Sequence, residues 1–281
     1  MKKIISIITA LTLCLAVFTA CGNSDDKTNS LEQQGALGVS GTVSTAGSTS
    51  TEKVIGALIE AFTIENPNVA ITYDPTGSSA GITSTKENTC DIGLSSRALK
   101  DTETGLDAKT FAIDGIAIVV NKENPVTDLT VEQIMKLATG EIKNWSEVGG
   151  EDREVVLIGR EPGSGTRDGF ETIVDVKEKC KYMQELNSTG AVIAAVSANP
   201  NAFGYASESA VGDTVKPVSV GGVMPNKDTI LDGSYVIQRP FILMTNQEKT
   251  QSAAAQAFID FCMSEKASDI ILNSGVVPPA K

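Results

Sequence analysis

Apolar and polar positions along this chain fall into blocks whose period switches repeatedly between two and nearly four. Residues 41–46 read as a strand, and residues 49–65 as a helix whose buried face carries Val54, Leu58, Ala61 and Phe62. Thr49 and Glu52 have capping-box spacing, and Asn66-Pro67 ends the helix. Residues 69–73 make a second strand, a helical stretch runs to about Lys86, and residues 91–95 make a third strand. Such alternation builds βαβ units, whose parallel strands end at the edge where ligands of such sheets bind. Residues 111–121 form a long apolar strand able to leave this first unit, and Asn124-Pro125 follows it. A helix over about 131–139, a turn at Asn144-Trp145, a strand at 155–158 and a helix over 166–174 begin a second alternating unit. Weaker signals fill 191–220, another long strand covers 235–244 with Arg239-Pro240 inside it, and a helical tail runs from 251 to about 272. Two long strands bracketing the middle of the chain predict a double hinge. The expected class is α/β with two lobes, one of residues 41–118 plus 235–281 and one of residues 119–234.

Three turns carry the candidate chemistry: Ala46-Gly47-Ser48-Thr49-Ser50, Thr76-Gly77-Ser78-Ser79, and Gly159-Arg160-Glu161-Pro162-Gly163-Ser164-Gly165-Thr166. Each places glycine and hydroxyl residues between a strand and a helix. A helix start offers unpaired N–H groups and the positive end of the helix dipole, so such turns suit an anion, and Arg160 adds a fixed positive fork. Taken singly, each serine or threonine is also an ordinary helix cap, and Arg160 is able to pair with Glu161. The strand ends deliver Ser48, Thr49, Ser50, Ser78 and Ser96 from the first unit. The second delivers Arg160, Ser164, Gly165 and Thr166. Arg97 and Arg167 fit either ion pairing or ligand contact.

Composition narrows the classes. With 281 residues, 41% of them hydrophobic, the chain is long enough for one large or two medium cores. A formal net charge of -12 makes nucleic acid an unsuitable partner, while leaving room for a small anion held by aimed hydrogen bonds. The chain has no histidine, which excludes Ser-His-Asp and Cys-His catalysis and every imidazole metal site. Ser50-Thr51-Glu52-Lys53 matches a Ser-x-x-Lys nucleophile motif, but no Ser-Asp-Asn or Lys-Thr-Gly accompanies it. The loop ending in Thr166 lacks the Gly-Lys-Ser/Thr close of a nucleotide P-loop. No cofactor is expected. Residues 1–20 read as a secretion signal, with Lys2-Lys3, an apolar run from Ile4 to Phe18 and then Thr19-Ala20. Val17 to Gly22 resembles a lipoprotein lipobox, with Phe18 where leucine is usual, making Cys21 the lipidated residue and 21–40 a flexible tether. Of five cysteines, Cys14 leaves with the signal. Cys90, Cys180 and Cys262 are too scattered for a disulfide framework or a metal site, and read as small hydrophobes with room for one bridge.

Several of these stretches together resemble the phosphate-binding lipoproteins, the substrate-binding components of bacterial phosphate ABC importers. They are the lipobox, the turn at 46–50, residues 73–81, Asp91-Ile92-Gly93-Leu94-Ser95-Ser96-Arg97, Asn144-Trp145 with Val148-Gly149-Gly150, Arg160 to Thr166, Phe203-Gly204-Tyr205 and Arg239-Pro240. The match runs from Gly41 to the end. It implies a type 2 periplasmic-binding-protein-like fold that closes over one dehydrated phosphate without chemistry, not an enzyme. Position by position, the resemblance makes Thr49, Ser50 and Ser78 donors with Ser48 beside them, Arg160 the pocket arginine, and Ser164, Gly165 and Thr166 its neighbouring donors. A pocket aspartate of some members falls on Ser96 here, and the acid two residues after the arginine is replaced by Pro162. A carboxylate rewards a protonated phosphate and repels sulfate, so a serine in its place discriminates less. The implied partners are inorganic phosphate, a membrane permease and, through the lipid, the outer face of the cytoplasmic membrane, with the protein a monomer. Sulfate, molybdate or a phosphonate as ligand, an acyl enzyme on Ser50, and a signalling receptor are the competing expectations.

Overall fold

The structure is a computed structural model that describes residues 38–279. The expected signal, Cys14, Cys21 and the expected tether up to residue 37 lie outside the described residues.

The described chain opens with β1 (Gly41–Gly47), a 3-10 turn at Thr49–Thr51 leading into α1 (Glu52–Glu65), then β2 (Val69–Asp74), α2 (Ser78–Lys86) and β3 (Ile92–Ser95). β4 (Leu106–Val120) carries it into β5 (Asp128–Leu129), α3 (Val131–Thr139), a 3-10 turn at Trp145–Val148, β6 (Val156–Arg160) and α4 (Gly165–Ile173). β7 (Tyr182–Leu186), α5 (Thr189–Ala198), β8 (Ala202–Ser207), a 3-10 turn at Glu208–Ala210, β9 (Lys216–Val220) and α6 (Lys227–Leu231) follow. β10 (Gln238–Asn246), α7 (Ala253–Cys262) and α8 (Glu265–Asn273) close the described chain.

The principal strand order is β2-β1-β3-β10-β4-β8-β6-β7, with β9 also on β4 and β5 on β9. β1 pairs in parallel with β2 and β3, and β6 pairs in parallel with β7 and β8. Between these two parallel groups run β4 and β10, antiparallel to each other over Gln238↔Gly115 to Asn246↔Leu106. Beyond Gly115, β4 changes partners and pairs with β8 and β9. One long strand thus leaves the first group and one strand returns to it.

From Phe111 onward β4, like most of β10, is buried on both faces, which is why these stretches read as apolar runs. In β4, Ile116, Ile118 and Val120 enter a core with Trp145, Phe170, Phe203 and Tyr235, while Ala117 and Val119 enter another with Val192 and Val196 of α5. In β10, Phe241 and Leu243 pack with Phe111, Phe62 and Phe258, whereas Ile242 and Met244 pack with Ile82 of α2. Alternation with period two sends each strand's side chains to opposite layers. Pro240, which has no N–H to donate, is tolerated in β10 opposite Ile113, whose N–H and carbonyl both bond to Val277. α1 buries Val54, Ile55, Leu58 and Phe62, and stops where Asn66 precedes Pro67.

Some boundaries differ from the sequence pattern. The last long strand starts at Gln238 rather than 235, because the segment before it turns, with Tyr235 donating its hydroxyl to the carbonyl of Ile116. The helical tail is two helices, since Ser264 starts α8 anew after α7 ends at Cys262. Cys90, Cys180 and Cys262 are all free thiols; Cys90 and Cys262 are buried and Cys180 is half-buried.

Candidate functional site

The C-terminal ends of five parallel strands supply the candidate residues. Past β1 come Ser48, Thr49 and Ser50; past β2, Ser78; past β3, Ser96. Arg160 is the last residue of β6, with Ser164, Gly165 and Thr166 just beyond it. Thr189 opens α5 after β7. Residues from both parallel groups converge there, and all of these positions are buried, Arg160 being only 2% exposed.

The contacts between the groups are direct. Ser50 Oγ lies 2.7 Å from Thr166 Oγ1 and 3.1 Å from Thr189 Oγ1. Thr49 Oγ1 is 3.2 Å from Thr189 Oγ1 and accepts the Thr189 N–H at 3.2 Å. Ser78 Oγ accepts the N–H of Ser96 at 3.1 Å and lies 3.2 Å from Ser96 Oγ. Gly165 presses on that pair so closely that a Cβ there would stand 2.5 Å from Ser78 Oγ and 2.6 Å from Ser96 Oγ. Ser79 N–H also donates to the carbonyl of Gly163 at 3.1 Å, tying the second turn to the third.

The remaining two hydroxyls act locally. Ser48 Oγ caps the 3-10 turn by accepting from Ser50 N–H at 3.3 Å, and Ser164 Oγ caps α4 by accepting from Arg167 N–H at 3.3 Å. Those caps set the path of the chain so that the first amides of each helix, which lack intrahelical partners, lie at the same edge. α1 with its leading 3-10 turn, α2, α4 and α5 all begin at this edge, and their dipoles place positive potential on it.

Arg160 supplies the formal charge. Its Nε and Nη2 donate to the two carboxylate oxygens of Glu161 at 2.8 and 2.9 Å, and Nη1 donates to Thr189 Oγ1 at 3.2 Å. The pairing with Glu161 and the approach to the hydroxyls therefore coexist. Arg97 is engaged elsewhere, in a bidentate pair with Glu103 at 2.7 Å on each nitrogen and a bond to Ser79 Oγ at 3.2 Å. Arg97 also holds the Glu103 carboxyl below the usual carboxylate range. Arg167 bonds to Glu171 and Glu185 and returns Nη1 to the Arg160 carbonyl at 2.9 Å. A further buried pair lies behind the edge: Arg239 of β10 grips Asp114 of β4 at 2.9 and 3.1 Å, and its Nη1 reaches the Ser96 carbonyl at 3.4 Å.

Thr189 is the central residue that the sequence pattern did not single out. Its signal was present in Asn187-Ser188-Thr189-Gly190, a fourth hydroxyl-and-glycine helix start. The strand before it is polar and half exposed, which hid the strand-to-helix transition. Ser50 and Lys53 do not form a nucleophile and base. Lys53 Nζ donates to the carbonyl of Ser209 at 3.0 Å, while the Ser50 hydroxyl faces Thr166 and Thr189. Among the described residues no group of three or more Cys, Asp or Glu is placed to hold a metal ion, and no helix is long and apolar enough to cross a membrane.

Comparison with known proteins agrees with this architecture. A family model described as a PBP superfamily domain matches residues 32–266. The chain is 30% identical to the phosphate-binding protein PstS of Borreliella burgdorferi, covering 98% of each chain. It is 32% identical to the PstS of Bacillus subtilis over 95% of this chain and 93% of that one. Among solved structures, it resembles a chain described as a phosphate ABC transporter substrate-binding protein from Clostridium perfringens, crystallised with bound phosphate. That likeness has a TM-score of 0.83 and 40% identity, over 85% of this chain and all of that one. A phosphate transport receptor from Vibrio cholerae gives a TM-score of 0.69 at 32% identity, with the same coverage. These relatives are substrate-binding proteins rather than enzymes, and the chain belongs to the PBP superfamily, in the family of phosphate-binding proteins PstS.

Proposed function

We propose that this chain is the extracytoplasmic receptor of a phosphate ABC importer, capturing inorganic phosphate at the converging helix starts and delivering it to a membrane permease. The observation that carries the reading is the buried Arg160 guanidinium, joined through Thr189 to hydroxyls from both parallel groups. Phosphate is the ligand named for the relatives in the comparison. On this reading Ser48, Thr49, Ser50, Ser78 and Ser96 belong to one lobe, residues 41–118 plus 235–281. Arg160, Ser164, Gly165 and Thr166 belong to the other, residues 119–234. A ligand bridging the two favours closure, and β4 and β10 are the strands about which it occurs. Charge-assisted bonds in a dry cleft supply affinity, each contributing roughly 1.5 to 3 kcal/mol.

The same reading makes Cys21 the lipidated residue, holding a monomeric receptor on the outer face of the cytoplasmic membrane. Labelling cells with a palmitate analogue tests that part, with Cys21→Ser expected to abolish incorporation. For the central claim, the purified chain is stripped of carried-over ligand by partial unfolding and dialysis, then titrated with phosphate in a calorimeter. One-to-one saturable binding is expected; a refolded chain that gives no phosphate heat refutes the assignment.

A further inference from the structure

Resting on the reading just given, the hydrogen-bond directions in the site point to how it selects its ligand. We infer that Thr189 completes an oxyanion site built of donors, one that selects a tetrahedral dianion and contains no group that demands a proton on it.

A guanidinium only donates, so Thr189 Oγ1 must accept from Arg160 Nη1, and its own proton is directed onward. Two neighbours lie within reach, Ser50 Oγ at 3.1 Å and Thr49 Oγ1 at 3.2 Å. Thr49 Oγ1 already accepts the Thr189 N–H, and Ser50 Oγ continues to Thr166 Oγ1 at 2.7 Å. Arg160, Thr189, Ser50 and Thr166 are thus linked in one hydrogen-bonded chain that crosses between the two parallel groups, its first link directed by the guanidinium. The second hydroxyl pair is biased in the same sense. Ser78 Oγ accepts the Ser96 N–H, and its proton can then bond to Ser96 Oγ, freeing the Ser96 proton to point outward.

The nearest carboxylates have partners other than the cluster's hydroxyls, Glu161 among them even though its Oε1 lies beside Gly77. Both Glu161 oxygens are held by Arg160, both Glu103 oxygens by Arg97, and the Asp114 oxygens by Arg239 and Ser207. An anion at this edge therefore meets N–H groups, hydroxyls and one guanidinium. A hydroxyl is able to turn one lone pair toward a single ligand proton, but each added proton removes an acceptor oxygen from a site made of donors and lowers the ligand's charge. The order of preference that follows places dianionic phosphate above the monoanion, and leaves sulfate a competent competitor.

The ionisable groups around the cluster are Arg160 at the end of β6 with Glu161 just beyond it, Arg167 of α4 with Glu171 and Glu185, Tyr205 of β8, whose hydroxyl accepts the Arg160 N–H, Asp114 on β4 with Arg239 on β10, Arg97 with Glu103, and Tyr73 on β2. Burial pushes the Tyr73 phenol well above its ordinary value, so it stays protonated throughout the range that matters. Sulfate does not titrate in that range, and its affinity reports any contribution from the protein's own groups.

The test is calorimetry of the whole chain with phosphate and with sulfate at about pH 5.5 and about pH 8, where the phosphate dianion is respectively scarce and dominant. Phosphate affinity is expected to fall more than about tenfold at the acid pH, while sulfate binds at both and does not weaken there. Thr189→Val is expected to lose about tenfold or more for both anions, and Thr189→Ser to regain most of it. Equal phosphate affinity at the two pH values with no sulfate binding overturns the inference, because an obligate acceptor must then face the ligand. Unchanged affinity in Thr189→Val overturns the role of Thr189. No binding of phosphate at either pH, in a chain that is folded by circular dichroism, refutes the functional reading itself and is distinct from those results.

Discussion

At the scale of single residues the candidate site is governed by one cation that is paired with a carboxylate yet still presents a donor to the hydroxyls. Glu161 occupies two of the three guanidinium nitrogens of Arg160 and leaves Nη1 toward the hydroxyls. That arrangement fixes the plane of the fork, which costs little additional entropy when an oxyanion arrives. Arg160→Ala is therefore expected to weaken phosphate binding by about tenfold or more, since a charge-assisted bond contributes roughly 1.5 to 3 kcal/mol. Arg160→Lys should recover only a fraction, because an ammonium lacks the fork that holds Glu161 and Thr189 together. Calorimetric titration of the two variants checks both statements. Affinity unchanged in Arg160→Ala would remove the guanidinium from the site.

At the scale of elements, the placement of α2 decides how close the first two turns come. Gly81 lies one turn into α2, and a Cβ there would stand 2.7 Å from Gly47 Cα and 2.8 Å from the Ala46 carbonyl. The obstacles are backbone atoms, so Gly81→Ala must push α2 away from β1 and β3. Overpacking of this kind costs about 1 to 3 kcal/mol. Because Ser78 rides on the same helix and Ser48 follows Gly47, phosphate affinity should drop along with the urea midpoint. A variant with wild-type stability and affinity would show that α2 can shift freely. The same elements show what a sequence can disclose. α1 and α3 were legible because each has a periodic apolar face and a marked end, Asn66-Pro67 for one and Gly140 for the other. β7 was not, because an edge strand paired only to β6 carries Gln184 and Glu185 and exposes Met183, which erases the alternation. Losing β7 also hid Thr189 at the head of α5. The glycine- and hydroxyl-rich helix starts at 48–50, 78 and 164–166 were visible as local patterns. Their mutual contacts, such as Ser50 with Thr166, depend on how β4 and β10 carry the chain across and have no local signature.

At the scale of the whole molecule, the two parallel groups touch away from the proposed oxyanion edge as well, and there a titratable group is partly buried. Lys53 of α1 reaches across to the Ser209 carbonyl, and Gly275 packs against Ser209 and the Glu208 carboxylate. Burial, then the nearby charge of Asp114, pushes the Glu208 carboxyl from 4.5 up to about 7, against the opposing pull of Lys53 and Lys227. The native state therefore holds this proton more tightly than the unfolded chain does. Below the ordinary carboxyl value both states are protonated and the residue contributes no pH dependence. As pH rises from there to about 7 the unfolded chain ionises first, so native stability falls through that window and stays lowered above it. Glu208→Gln carries no such charge. It should match the parent near pH 4 and exceed it near pH 8 by about 1 kcal/mol, a figure reduced for the partial exposure of the group. Urea melts of parent and variant at the two pH values provide the comparison, and the difference between them is the quantity that matters, since it cancels the titrating groups that are not coupled to Glu208. A variant less stable than its parent at the higher pH would mean that the ionised carboxylate is satisfied by Lys53 and Lys227, making the contact between the two groups an ion-pair cluster rather than a buried acid.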